Sequence, residues 1–184
     1  DGIPVTVLRA GWTALALPLT HLINIILKTS TWPALWKEAK VVPVHKPGKK
    51  SDDVASYRPV ALIAAISKLA EKVLHGQLSE HVERLGLLPR DQHGFRPGRS
   101  VDSALASVTA RLASMRERKD RRGILASFDY SAAFDTVDAE LLLHKMPWLT
   151  RSSAALIRSY LAGRTQRVSW NGAESGSLPV HFGV

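Results

Sequence analysis

Apolar side chains recur at helical intervals along much of this chain. Leu15, Leu19, Leu22, Ile23, Ile26 and Leu27 fall largely on one face and predict a helix over residues 5–28. Thr31-Trp32-Pro33 breaks it, and Leu35-Trp36-Lys37 begins a short helical turn. A long amphipathic helix is expected over residues 65–85, where Ile66, Leu69, Val73, Leu78, Val82 and Leu85 repeat and Gly86 stands ready to end it. Ser100 caps another, to about residue 118, with Ala104, Leu105, Val108, Leu112 and Met115 facing inward. Shorter helices are expected from Ala139 and over residues 152–161.

Strand patterns are fewer. Residues 39–45 carry Val41, Val42 and Val44, then a basic turn, Lys46-Pro47-Gly48-Lys49-Lys50, and a solvated loop, Ser51-Asp52-Asp53. Tyr57-Arg58-Pro59-Val60-Ala61-Leu62 is extended, because Pro59 drives the residue before it out of the helical region. Arg167-Val168-Ser169-Trp170 runs into Asn171-Gly172 and predicts a hairpin. Helices dominate the first two thirds and strands cluster later, so the fold class is α+β, not a doubly wound sheet.

Composition narrows the function. The 184 residues carry 25 Lys+Arg against 16 Asp+Glu, a net charge of +9, which favours a polyanionic partner, nucleic acid before membrane surface. There is no cysteine, which excludes disulfides, thiolate metal sites and cysteine nucleophiles. The most apolar run, residues 14–27, is interrupted by Pro18, Thr20, His21 and Asn24 and does not read as a membrane span, so no membrane partner is expected. No signal-peptide pattern is present, and the chain opens on Asp1-Gly2, as a piece of something longer does.

The chemistry concentrates in one octet, Phe128-Asp129-Tyr130-Ser131-Ala132-Ala133-Phe134-Asp135. It follows Gly123-Ile124-Leu125-Ala126-Ser127, an apolar stretch that reads as a buried strand. An aspartate ending such a strand is held by the sheet and aimed at solvent. Mg²⁺ takes carboxylate oxygens together with substrate phosphates, so this position suits phosphoryl or nucleotidyl transfer. The alternative is an Asp that only caps the next helix. Asp135 and Asp138 read as helix-start caps.

Several motifs in order resemble the reverse transcriptase of non-long-terminal-repeat (LINE-type) retrotransposons. Trp32-Pro33-Ala34-Leu35-Trp36-Lys37 looks like that family's extension ahead of the fingers. Val42-Pro43-Val44-His45-Lys46-Pro47-Gly48-Lys49 and Ser56-Tyr57-Arg58-Pro59-Val60-Ala61-Leu62 are similar to its two fingers strands. Gln92-His93-Gly94-Phe95-Arg96-Pro97-Gly98-Arg99-Ser100 and the Asp129 octet are similar to its next two motifs. The resemblance implies a helical extension at residues 1–40, fingers at 41–122 and a partial palm at 123–184, with the catalytic aspartate on a palm strand.

It also implies roles. Asp129 would be the catalytic ligand of two Mg²⁺ ions, with the Tyr130 carbonyl on the nucleotide-side metal. Lys46 and Arg58 would hold the triphosphate, one as a point charge and one as a bidentate fork. Lys49 and Lys50 read as solvated or backbone-contacting charge. Phe134 would exclude a 2′-hydroxyl from beneath the sugar; a core phenylalanine is the alternative. Gly94, Phe95, Arg96 and Arg99 would face template and primer, a flexible turn offering an aromatic and two cations. The Arg116 to Arg122 stretch also holds Glu117 and Asp120 and reads as solvated loop, with template contact as its alternative. RNA template, DNA primer and dNTP are the implied partners, and cytoplasm and nucleus the implied compartments.

One departure matters. The family's aromatic-x-Asp-Asp hairpin is absent from these residues; the adjacent acids Asp52-Asp53 sit in the fingers loop. One carboxylate holds two metals poorly, so this piece alone should not polymerise. A non-catalytic nucleic-acid-binding remnant of a decayed element is the competing reading. An RNA-dependent RNA polymerase is a third, and Phe134 argues against it.

Overall fold

Residues 2–116 and 124–183 are described by the computed structural model of the chain. The basic loop expected at residues 116–122, the end of the helix expected to reach residue 118, and Gly123 lie outside them, Arg116 excepted. Contacts divide the chain into two compact units, Asp1–Val73 with Ala132–Val184, and Leu74–Ser131. Neither boundary expected from the resemblance, at residue 40 or at residue 122, coincides with that division.

The first unit opens on α1 (Val5–Ala10) and α2 (Trp12–Thr29), which part at Gly11. Leu19, Ile23 and Ile26 of α2 are buried at helical spacing, as the pattern predicts. Ser30 ends the helix in the left-handed region at φ 53°. Trp32 follows, 2% exposed, with its ring edge-on to Trp36 at 5.8 Å and to Tyr160 at 4.9 Å. Its backbone N–H donates to Ser159 Oγ at 2.8 Å, tying the end of α2 to α6 (Arg151–Leu161). Leu156 and Ile157 of α6 and Leu143 of α5 (Ala139–His144) complete this core with Ala39 and Val41.

Five strands are assigned among the described residues: β1 (Glu38–His45), β2 (Tyr57–Leu62), β3 (Thr165–Trp170), β4 (Ala173–Glu174) and β5 (Leu178–Pro179). β1 pairs antiparallel with β2, from Lys40 opposite Leu62 to His45 opposite Tyr57. Its other edge pairs parallel with β3, from Glu38 opposite Thr165 to Val41 opposite Val168. Strands do not cluster late, contrary to expectation: the early hairpin and the late one form a single sheet. Asn171 (φ 48°) and Gly172 (φ 83°) make the expected two-residue turn between β3 and β4, both in the positive-φ region that such turns require. Cross-strand aromatics, His45 on Tyr57 at 5.1 Å and Tyr57 on Trp170 at 5.3 Å, reinforce one face.

α3 (Ala65–Arg84) begins in this unit and ends in the other. Its fully buried positions are Ser67 and Ala70, small residues that permit close approach, and not the expected aliphatics, which are half-buried or exposed. Ser67 Oγ donates to Glu71 Oε1 at 3.3 Å. Burial pushes the Glu71 carboxyl above its ordinary range, against the pull of Arg164. Arg164 lies 4.6 Å over the Tyr160 ring and donates to the Tyr160 carbonyl, so α3 meets α6 through a polar cluster.

The second unit holds the rest of α3, a loop, and α4 (Val101–Arg116). Gly86 (φ 62°) ends α3 as expected. Ser100 caps α4, its Oγ accepting from Ser103 N at 3.2 Å. Two expectations fail here. The stripe of Leu105, Val108, Leu112 and Met115 is exposed, because no described element of this unit packs on it. Residues 124–130 form no strand: Ile124, Leu125 and Phe128 are exposed, and no described strand runs alongside. A strand owes its stability to a ladder partner, and without one the segment stays irregular.

Candidate nucleotide and template site

Register places two of the expected cations together. Val44 lies opposite Arg58, and the ladder continues one step further through the Lys46 N–H, which donates to the Ser56 carbonyl at 2.8 Å. Residues directly opposite share a face, and so do residues two apart on a strand. Lys46 and Arg58 therefore lie on one face of the β1–β2 hairpin, at its turn end. The Lys46 ammonium donates to the Ala55 carbonyl at 2.7 Å, and the Asp53 carboxylate caps the turn that presents that carbonyl by accepting from Ala55 N. The Arg58 side chain is exposed and forms no hydrogen bond or ion pair with the described residues. Tyr57, on the opposite face, donates its hydroxyl to the Ser51 carbonyl and steadies the turn.

Phe134 belongs to the same unit, in an irregular turn over residues 131–136, and is 61% exposed. Gly183 presses on this turn: its N–H donates to the Val137 carbonyl at 2.9 Å. A Cβ on Gly183 would stand 3.2 Å from Asp135 Cα and 3.3 Å from the Phe134 carbonyl oxygen, and its φ of 97° disfavours any side chain. Only glycine fits this contact without displacing the turn that carries Phe134. Asp138 caps α5 by accepting from Leu141 N at 2.9 Å, as expected. Asp135 caps no helix; its N–H closes a turn onto the Ala132 carbonyl, and α5 starts three residues after Thr136.

In the second unit side-chain hydrogen bonds tie the Gly94 to Arg99 motif to its neighbours. The Arg96 guanidinium forks onto Glu83 of α3, Nε to Oε1 at 2.7 Å and Nη2 to Oε2 at 2.6 Å. Its Nη1 donates to the carbonyls of Pro89 and Gln92 at 2.9 and 3.4 Å. Arg111 of α4 pairs with Asp91 at 2.6 Å, and the His93 ring meets Ser103 Oγ at 2.7 Å. Arg96 holds the Glu83 carboxyl below its ordinary range and Arg111 does the same for Asp91. The loop is stapled to both helices, and Phe95, at φ 59°, stands 92% exposed on it with Arg99 exposed nearby in sequence. A Cβ on Gly94 would meet Gln92 Nε2 at 3.7 Å, and that Nε2 donates to the Gly94 carbonyl at 3.1 Å.

Asp129 and Tyr130 lie in the irregular segment of this unit, both exposed, the Asp129 carboxylate without a hydrogen bond or ion pair among the described residues. No group of three or more His, Cys, Asp or Glu is gathered where a metal ion could sit among those residues. A two-metal centre needs several oxygen ligands, so the described residues alone do not fit one. Sequence reasoning missed Glu83, Asp91 and Gly183. A lone acid on a helix and a glycine near the end of the chain carry no local signature.

The comparisons with known proteins agree on kinship. Residues 44–180 match the family model described as reverse transcriptase (RNA-dependent DNA polymerase). The chain is 32% identical over 167 residues to the probable RNA-directed DNA polymerase from transposon X-element of Drosophila melanogaster, covering 90% of this chain and 18% of that protein. It is 31% identical over 167 residues to the RNA-directed DNA polymerase from mobile element jockey of the same fly, with the same coverage of each. A third relative there, the putative 115 kDa protein in type-1 retrotransposable element R1DM, is 30% identical over 185 residues, which span 98% of this chain and 17% of that protein. The chain thus spans less than a fifth of the length of the curated relatives it matches. It belongs to the reverse transcriptase (RNA-dependent DNA polymerase) family, in the branch carried by non-long-terminal-repeat retrotransposons.

Proposed function

We propose that these residues are the fingers and the first part of the palm of an RNA-directed DNA polymerase, acting on an RNA template, a DNA primer and dNTPs. The observation that carries the reading is the shared face of Lys46 and Arg58 at the turn end of the β1–β2 hairpin. A compact ammonium and an unengaged guanidinium side by side suit a triphosphate, whose charge and oxygens both can meet. Asp129 is the metal-binding and catalytic acid of this reading, with the Tyr130 carbonyl beside it. The remaining ligands of a Mg²⁺ pair belong to the longer protein. Phe95 and Arg99 face the template. No described helix is long and apolar enough to cross a membrane.

The test is templated primer extension by the full-length protein. Lys46→Ala and Arg58→Ala should each raise the KM for dNTP at least tenfold, as loss of a charge-assisted phosphate contact worth roughly 1.5–3 kcal/mol requires. Unchanged KM in both variants would refute the triphosphate assignment. The 184-residue chain alone should bind RNA, with affinity falling steeply from low to physiological salt, and should not extend a primer. Extension by the full-length protein separates the polymerase reading from a remnant that merely binds: the 184 residues of a remnant bind equally well, but its parent protein extends nothing.

Phe134→Val should open space under the sugar. Steric exclusion works by repulsion, so the variant should accept ribonucleotides better without binding deoxynucleotides more tightly. An increase of on the order of tenfold in rNTP use relative to dNTP is expected, about 1.4 kcal/mol of lost discrimination. Competition between paired dNTP and rNTP measures it, and an unchanged ratio removes Phe134 from the sugar site.

A further inference from the structure

The Arg96 side chain was expected to hold a template phosphate, and its surroundings argue otherwise. A guanidinium offers five N–H donors and no acceptor. Here two of the nitrogens fork onto Glu83 and the third reaches the carbonyls of Pro89 and Gln92. Arg96 is 12% exposed along its side chain, against 33% for Glu83. Four of the five donors are thereby engaged and Glu83 neutralises the charge, which leaves a phosphate the one remaining Nη2 hydrogen on a largely buried side chain. Meanwhile the same loop keeps Phe95 in the left-handed region, which a side chain with a Cβ adopts only where its surroundings impose it.

We propose that Glu83 is a positioning residue: through Arg96 it locks the loop of residues 89–99 so that Phe95 is presented to the template, and Arg96 itself binds no phosphate. This rests on the template-facing reading of the loop given above. Within the unit the lock has three parts. The Glu83–Arg96 fork ties the loop to α3, while Asp91–Arg111 and His93–Ser103 tie it to α4. The two helices set the ends, and the fork sets the turn between Gly94 and Gly98. An aromatic ring presented in a fixed pose stacks on a base without first losing the freedom of a mobile loop, which is where preorganised contacts gain affinity.

Electrostatics and positioning give opposite signs for one substitution. Glu83→Gln removes a negative charge from a basic chain, so charge alone predicts tighter binding of a short single-stranded RNA. Positioning predicts weaker binding, by roughly the tenfold that loss of one base stack brings. Fluorescence anisotropy of the 184-residue chain with a labelled oligonucleotide, repeated across a salt series, reads this directly. Phe95→Ala should cost about tenfold in the wild-type chain and less than twofold in the Glu83→Gln background, because the ring is no longer presented. Arg96→Gln should weaken binding with the salt slope unchanged, whereas loss of a true phosphate contact would flatten it by about 0.7.

Amide hydrogen exchange supplies a readout that needs no RNA. Residues 92–99 should exchange faster in Glu83→Gln than in wild type, with α2 and α6 unaffected. Tighter binding by Glu83→Gln, a flattened salt slope in Arg96→Gln, or unchanged exchange in the loop would each overturn the proposal. A wild-type chain that bound no RNA would overturn the template-facing reading instead, while faster loop exchange in Glu83→Gln would still support the lock.

Discussion

On the polymerase reading proposed above, Asp129→Asn in the full-length protein should slow templated primer extension by on the order of a thousandfold, about 4 kcal/mol on the barrier. The substitution keeps the shape of the side chain and removes its charge. The structure makes the experiment clean. The Asp129 side chain is exposed and forms no hydrogen bond or ion pair with any described residue, so no contact among the described residues depends on the carboxylate. The variant should melt with the wild-type protein, and a lost rate then reports chemistry and not folding. Extension at near wild-type rate would withdraw Asp129 from the reaction. A fallen melting temperature alongside the lost rate would give the residue a structural role that its surroundings here do not suggest.

Local patterns carried most of the elements. α2, α3, α4 and α6 follow from apolar periodicity, helped by Gly86 at the end of α3 and Ser100 at the start of α4, and the β3–β4 turn follows from Asn171-Gly172, a pair chemically fit for two positive φ values. The failures share one cause. Periodicity says which side of a helix or strand is apolar, and it does not say what lies against that side. The stripe on α4 and the residues 124–128 are as apolar as the pattern claims, yet they have no described partner and stay exposed. Long-range pairing was equally silent. Nothing in Glu38 to Val41 announces that β3, more than 120 residues later, will lie parallel to it.

The candidate site was legible in residue type and less so in role. Lys46 and Arg58 are named by their motifs, and register adds that they share a face. Arg96 and Arg99 look alike in the sequence, three positions apart in one basic motif. They differ because Glu83, the penultimate residue of α3, meets one of them and not the other with a bidentate fork. Charge in a motif is thus available for a ligand only after the chain's own acids have been served. In this loop an acid on a helix decides which arginine is left for the solvent.

Trp32→Ala should be the most destabilising single change in the described core, at about 3–5 kcal/mol, the range for truncating a large buried aromatic. Trp32 is the most buried of the large core side chains, and it fills the space between Trp36 and Tyr160 at the point where α2 ends and the chain turns toward β1. The bond from its backbone N–H to Ser159 Oγ survives the substitution, so the loss measures packing and not that hydrogen bond. In a domain of this size such a loss lowers Tm by on the order of 10 °C. Trp32→Phe provides the contrast. The indole Nε1 is buried without a hydrogen-bond partner among the described residues, and phenylalanine keeps a ring against Tyr160 while removing that unsatisfied donor. The smaller ring gives up area, the deleted N–H gives some of it back, and the net cost should stay near 1 kcal/mol. Urea denaturation of the three proteins, followed by tryptophan fluorescence and circular dichroism, separates the cases. If the alanine variant loses less than 1 kcal/mol, Trp32 does not hold the helical extension to the sheet; if the phenylalanine variant loses as much as alanine, the buried N–H has a partner after all.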